Sequence, residues 1–326
     1  MSIALFGLGD SKLFAQKVSR YLSVPLSGTY EKDFDDGEVY LRPDVNIRGK
    51  DVYVIYSLYS TEKKTAGAKL WELAQFCGAC RDASAGRITA VCPYMAFSRQ
   101  DRKTESRAPI STKYVAEILE AVGIQRLVTM DIHSLSAFQN AFRIPTDNLE
   151  AKKILARAIR QQFSDAALIT ILSPDVGGAA RARAFRDELE RLFETQIPVA
   201  YLDKIRKAHS SLPGGPPVSI HGIVGDVEDR QVIIVDDMIV SGGTIKKCQE
   251  AVAQHGGSLQ VVAATHGLFI GDASENLSEV VEVCVTDTIH EKRLNHNRII
   301  TVDTSELFAL SIRRNHDGDS ISELLK

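Results

Sequence analysis

Val232-Ile233-Ile234-Val235-Asp236-Asp237-Met238-Ile239-Val240-Ser241-Gly242-Gly243-Thr244 runs from four β-branched apolar residues into two adjacent carboxylates, then into a small-residue loop. An unbroken apolar run reads as a buried parallel strand, and open α/β sheets bind ligands beyond the carboxyl ends of such strands. A helical segment, Ile245–His255, follows. Glycine removes the side-chain barrier to close approach, so backbone N–H groups of Ser241–Thr244 can converge on an anion. The positive end of the following helix favours the same occupant, a phosphate monoester. Asp236 and Asp237 cannot ligate phosphate, but they can accept from sugar hydroxyls or contact Mg²⁺. Phosphate and diol together describe a phosphorylated ribose. No Lys follows the glycines in G-x-x-x-x-G-K-[ST] order, which excludes a nucleoside-triphosphatase P-loop.

A second strand, loop and helix start recur at Ser173-Pro174-Asp175-Val176-Gly177-Gly178-Ala179-Ala180-Arg181-Ala182-Arg183. A glycine loop leading into a helix that opens with two arginines suits a diphosphate or its magnesium complex, with Asp175 placed for Mg²⁺. A glycine turn with an Asp cap is the other reading of this stretch. Met130-Asp131-Ile132-His133 also ends an apolar run. Imidazole is an unusual Mg²⁺ ligand, so chemistry alone favours a hydrogen-bonding role for His133. Arg99-Gln100-Asp101-Arg102-Lys103 is a basic patch after a strand, either a polyphosphate clamp or a solvated loop. Phe34-Asp35-Asp36-Gly37-Glu38 reads as a hairpin turn, or as a purine contact if Phe34 stacks.

The chain has 326 residues, which predicts two domains. A hydrophobic content of 44% and a charged content of 25% place it among ordinary globular proteins. The formal charge, 39 minus 42, is −3, which gives no general attraction to nucleic acid. No run approaches the roughly 18 apolar residues of a membrane span, and Met1–Gly7 reads as a first strand rather than a signal peptide. Five irregularly spaced cysteines point to reduced thiols and a cytoplasmic location. Cys77 and Cys80 share one face of a helical stretch, with no second pair to complete a zinc site, so they read as core. Gly7-Leu8-Gly9 lacks the third glycine of a dinucleotide fingerprint.

Strand-like runs at Ile3–Phe6, Val52–Tyr56, Ile88–Val91, Leu127–Met130, Leu168–Leu172, Val199–Leu202, Val232–Val235, Val261–Thr265 and Val280–Cys284 alternate with helical segments. Those segments include Lys64–Ala83, Ser111–Val122, Glu150–Phe163 and Arg181–Phe193. Alternation of this kind implies parallel sheets in an α/β fold, given twice with a break near Ile144-Pro145-Thr146. His209–Pro217, rich in Gly and Pro, reads as a lid, with Lys204, Arg206 and Lys207 at its foot delivering cations to a polyphosphate or forming a solvated basic turn.

Taken in order, these motifs resemble the PRPP synthetase (ribose-phosphate diphosphokinase) family over almost the whole chain. Pro109-Ile110-Ser111, Asp203–Arg206 and the tail Ile312-Arg313-Arg314-Asn315-His316 extend the match. The resemblance implies two tandem type I phosphoribosyltransferase-like α/β domains, each with a mainly parallel sheet flanked by helices. Their implied bounds are 1–146 and 147–304, with residues 305–326 forming a helix packed back on the first. It further implies that Phe34, Asp36, Gly37, Glu38, Arg99, Gln100 and Asp101 hold ATP, the Phe34 loop reaching a neighbouring subunit's site in a homo-oligomer. His133 and Asp175 would hold Mg²⁺, reversing the preference from chemistry alone. Asp236, Asp237 and Val240–Thr244, with Arg206, would hold ribose 5-phosphate, and Lys204 and Arg206 would be the catalytic cations. The implied reaction is diphosphoryl transfer from MgATP to ribose 5-phosphate, giving PRPP and AMP.

Three stretches depart from the family pattern. Family loops commonly read Asp-Asp-x-x-Asp-Thr-x-Gly-Thr, whereas Val240 and Ser241 replace the third Asp and the Thr. Ile205 stands where a third basic residue is common, and Ser60–Gly67 lacks the usual Pro and Asn. A phosphoribosyltransferase would explain Asp236–Thr244 but not the ATP-like motifs or the tandem domains. A non-catalytic regulatory homologue is the other alternative: Val240 favours it, and retention of His133, Asp175, Lys204 and Arg206 opposes it.

Overall fold

In this computed structural model, residues 1–206, 218–290, 294 and 299–325 are described, with backbone only at 204–206, 218–221 and 325. The chain divides into two units. The first, Met1–Glu150 with Thr288–His290 and Asp303–Lys326, opens with β1 (Ile3–Gly7), α1 (Lys12–Leu22), β2 (Thr29–Asp33), β3 (Val39–Pro43) and β4 (Asp51–Ile55). It continues through α2 (Ala66–Asp82), β5 (Arg87–Cys92), α3 (Ser111–Ala121), β6 (Arg126–Met130), α4 (Leu135–Ala141) and β7 (Thr146–Leu149). Five strands pair in the order β1-β4-β5-β6-β7, all parallel. All five residues of β4 are buried, as a strand covered on both faces requires. The antiparallel pair β2-β3 forms a separate hairpin.

The second unit, Ala151–Asp287 with Glu291–Val302, begins with α5 (Lys152–Arg160), β8 (Ile169–Ser173), α6 (Ala179–Phe193), β9 (Val199–Arg206) and β10 (Val218–Val224). It then has β11 (Gln231–Ile239), α7 (Gly243–Gln254), β12 (Ser258–Gly267), α8 (Ala273–Asn276), β13 (Glu282–Thr286) and β14 (Ile299–Val302). Its strand order is β10-β9-β8-β11-β12-β13-β14, parallel except where β10 meets β9. Val232 and Ile234 of β11 share a buried cluster with Ile245, Cys248 and Val252 of α7. From β8 the chain continues to β9 on one side, while from β11 it continues to β12 on the other. Ligands of open α/β sheets bind at such a reversal, outside the carboxyl ends of its two strands.

The last helices are α9 (Ser305–Asp317) and α10 (Ser322–Leu325), both in the first unit. There α9 lies on α1, with the Phe14 and Phe308 rings edge to face at 5.6 Å. His316 Nδ1 meets Asp51 Oδ2 at 2.8 Å, and Arg87 donates to the Asn315 carbonyl at 2.9 Å.

Several sequence expectations shift. The carboxylates Asp236 and Asp237 do not follow the strand but lie on it, because β11 runs on to Ile239. Thr146–Leu149 pairs with β6, so the first sheet extends past the break expected near Ile144 and the units divide at Glu150. Thr288–His290 likewise joins the first unit. The strand expected at Val280–Cys284 occupies Glu282–Thr286. Strands β2, β7 and β10 have no unbroken apolar run; β3 and β14, missed from the sequence, carry Val39-Tyr40-Leu41 and Ile299-Ile300. The proposed lid at His209–Pro217, with Lys207, lies outside the described residues. Cys77 and Cys80 lie buried on α2, and no disulfide joins the five buried cysteines.

Candidate active site

At the reversal between β8 and β11, the two strand ends hold one polar cluster. Ser173, the last residue of β8, donates to the Asp175 carbonyl at 2.6 Å, and Asp175 Oδ1 accepts the Gly178 N–H at 3.0 Å. A β-carbon on Gly178 would stand 2.6 Å from Ser173 Oγ, so the turn leaves no space for a side chain there. Asp175 is therefore a cap, as one of its two sequence readings had it, and its exposed carboxylate has one oxygen engaged. The helix opens at Ala179 rather than at Arg181. Within the first turn, Arg181 reaches across to β11, with Nη1 3.1 Å from Asp236 Oδ1 and Nη2 3.6 Å from Asp237 Oδ2. Arg181 thus serves first as counter-ion to the carboxylate pair, and Arg183 is exposed.

The pair needs that cation. Asp237 is buried, Asp236 is half-buried, and the Asp236 carboxylate accepts the Asp237 N–H at 2.8 Å. Burial and the neighbouring Asp237 charge push Asp236 up to about 7, while Arg181 pulls the other way. Such a group gains from any ligand that brings donors to it.

Beyond β11, Gly242 adopts φ +73°, and a β-carbon on it would meet Leu277 Cγ at 3.1 Å and Asn276 Cβ at 3.2 Å. Only glycine suits both the angle and the space. The Asn276 amide donates to the Ser241 carbonyl at 2.8 Å, fixing the loop from α8. No side chain caps α7, so the N–H groups of its first turn are left for an anion. Val240 is half-buried at the loop entrance, and its carbonyl accepts the Ile270 N–H at 2.9 Å. Gly243 and Thr244 open the helix itself.

Lys204 and Arg206 lie on β9, opposite Ile220 and Val218 of β10, with a register irregularity between Ile220 and Gly222. In the first unit, Phe34–Glu38 form the hairpin tip. Phe34 N–H donates to the Glu38 carbonyl at 2.8 Å, Glu38 N–H donates to Asp36 Oδ1 at 3.1 Å, and Gly37 has φ +90°. Phe34 is exposed, with the Lys32 ammonium 4.5 Å from its ring centre. Arg99, Gln100 and Asp101 follow β5, and the Gln100 side chain accepts from the Ser111 hydroxyl at the start of α3. Among the described residues, none of Arg99, Arg102 and Lys103 pairs with a carboxylate. No hydrogen bond or ion pair there joins the hairpin tip to the Arg99–Asp101 segment. His133 is exposed just past β6, beyond Asp131 at φ +39°.

Sequence reasoning missed Asn276, the pairing of Arg181 with the carboxylates, and a buried network on α2. In that network Glu72 meets Lys64 and the Tyr56 hydroxyl, and Lys69 meets Asp10 at 2.7 Å and the Tyr59 ring at 3.9 Å. One signal was available: Lys69 and Glu72 share the helix face of Leu73, Phe76, Cys77 and Cys80, where charges are out of pattern.

Residues 3–123 match the family model for the N-terminal domain of ribose phosphate pyrophosphokinase, and residues 200–326 that for the phosphoribosyl synthetase-associated domain. The ribose-phosphate pyrophosphokinase of Campylobacter jejuni is 38% identical over 314 residues, 95% of each chain. That of Haemophilus influenzae is 37% identical over 329 residues, covering 99% of this chain and 98% of the relative. The crystal structure of phosphoribosylpyrophosphate synthetase from Mycobacterium smegmatis matches with a TM-score of 0.86 at 30% identity, over 98% of this chain and 100% of that one.

Proposed function

The chain belongs to the ribose-phosphate pyrophosphokinase family, and from that premise we infer that it transfers the diphosphoryl group of MgATP to O1 of ribose 5-phosphate. O1 attacks the β-phosphorus, the bond from that phosphorus to the AMP oxygen breaks, and the products are PRPP and AMP. Such transfer depends chiefly on positioning and charge neutralisation. The observation that carries the reading is the cluster at the β8–β11 reversal, where a carboxylate pair stands beside an uncapped helix start.

Ser241, Gly242, Gly243 and Thr244 bind the 5-phosphate with the first turn of α7, and Asp236 and Asp237 accept from the ribose hydroxyls. Val240 lines this loop without adding a third carboxylate. Lys204 and Arg206 meet the charge that develops on the transferring diphosphate. Phe34, Asp36, Gly37, Glu38, Arg99, Gln100 and Asp101 hold ATP, and the Phe34 tip serves a neighbouring copy in a homo-oligomer.

Asp175 and His133 are each assigned as a ligand of Mg²⁺, one ion or two, which when bound would offset charge on ATP oxygens. Asp175 offers the hard oxygen donor this ion prefers. No cluster of three His, Cys, Asp or Glu occurs among the described residues, which suits an ion that keeps waters and takes its remaining ligands from substrate phosphates. No helix among the described residues is long and apolar enough to cross a membrane. Five buried cysteines without a disulfide support a reducing, cytoplasmic setting.

The test is phosphorus NMR of the protein with ribose 5-phosphate and MgATP, with and without inorganic phosphate. PRPP and AMP appear together if the reading holds; ATP left intact under both conditions overturns it.

A further inference from the structure

A two-stranded hairpin is marginal by itself in water, and β2-β3 makes no ladder with the five-stranded sheet. The position of its tip is therefore set by the side chains that hold its two strands. On the β3 side, Gln75 of α2 accepts the Leu41 N–H and donates to the Val39 carbonyl, both at 3.1 Å. On the β2 side, Lys12 meets Glu31 at 3.0 Å. Asp33, the last residue of β2 and the neighbour of Phe34, meets the Lys64 ammonium at 3.3 Å.

Lys64 is itself held. Its N–H donates to Thr61 Oγ1 at 3.0 Å, and its carbonyl accepts the Thr61 N–H at 2.7 Å. Its ammonium also contacts Glu72, whose carboxylate is 2% exposed and accepts from the buried Tyr56 hydroxyl. A buried carboxylate fixed by Tyr56 has few places to move, so the cation on it is fixed as well. Lys64 stands in Ser60–Gly67, the segment that departs from the best-known class of this family.

We propose that Lys64, locked by Glu72, is a positioning residue for the nucleotide: through Asp33 it sets where the Phe34–Glu38 tip stands. This rests on the reading that the tip holds ATP.

The test compares Lys64→Met, Asp33→Asn and the double variant by KM for ATP and for ribose 5-phosphate. A half-exposed ion pair is worth up to about fivefold in an equilibrium. Each single variant should raise the KM for ATP by about three- to fivefold and leave that for ribose 5-phosphate in place. Lys64→Arg should restore the parent value, and the double variant should be no worse than either single one. An unchanged KM for ATP in both single variants, or equal shifts for both substrates, overturns the proposal. Phe34→Ala and Glu38→Ala, measured alongside, separate the two readings. If they raise the KM for ATP and the pair variants do not, the anchor fails and the nucleotide reading stands. If none of the four moves it, the nucleotide reading itself falls. Should Lys64→Met fail to fold because Glu72 loses its cation, Asp33→Asn, on a side chain 71% exposed, carries the test alone.

Discussion

Replacing Asp236 with Asn should stabilise the protein while removing its affinity for ribose 5-phosphate. Folding carries the Asp236 carboxyl from an ordinary 3.8 to about 7, through burial first and the Asp237 charge second. Between those pH values the folded chain keeps a proton that the unfolded chain has lost. Stability therefore falls as pH rises, and the full penalty is reached above pH 7. Taken whole, a change of that size corresponds to roughly 4 kcal/mol. Arg181 lies 3.1 Å away and both side chains keep some solvent contact, so about 1–2 kcal/mol is the sounder figure. Asn keeps the oxygen that accepts from Asp237 N–H and faces Arg181 but carries no charge. At about 2–4 °C per kcal/mol, thermal unfolding without ligands or divalent ions should show the variant a few degrees above the parent at pH 8. That gap should close toward pH 4.5, and added ribose 5-phosphate should raise the Tm of the parent only. A variant less stable than the parent at pH 8, or a gap that ignores pH, would refute the electrostatic account.

Gly242→Ala forces an alanine to φ +73° against Leu277 and Asn276, at a cost of about 1–2 kcal/mol, and should raise the KM for ribose 5-phosphate roughly tenfold. Steady-state kinetics with an unchanged KM would show that the loop does not cradle the phosphate. Lys204→Ala should lower kcat by about 10²–10³ with both substrates still bound, and near-normal kcat would remove Lys204 from the chemistry. Burial raises the thiols of Cys77 and Cys92, and that of Cys80 to about 12, so a thiol reagent at pH 8 should react with them only after denaturant is added. Fast reaction at any of the three in native protein would contradict the packed environment.

What the sequence determined by itself rests on local rules. Unbroken apolar runs such as Val232–Val235 and Ile88–Val91 marked central parallel strands, because a strand covered on both faces cannot alternate. Gly242 before a helix marked a tight loop after β11, because φ +73° beside Leu277 and Asn276 admits only glycine. Phe34–Glu38 was legible as a hairpin turn for the same reason. A short edge strand such as β7, Thr146–Leu149, carried no comparable signal, since its pairing depends on a partner elsewhere in the chain.

Only the tertiary structure decided how the charges are paired. Arg181 read as a phosphate ligand until the order β8-β11 brought it, 55 residues away in sequence, onto Asp236. Asp175 gained its capping partner, Gly178 N–H, only in the folded turn, with one carboxylate oxygen engaged there. Nothing in the sequence joined Lys64 to Glu72 and Asp33, which the fold places on either side of its ammonium, with the Tyr56 hydroxyl on Glu72. Charge interactions fall off over a few ångströms and have no sequence periodicity, so they become readable only once strand order has fixed which residues are neighbours.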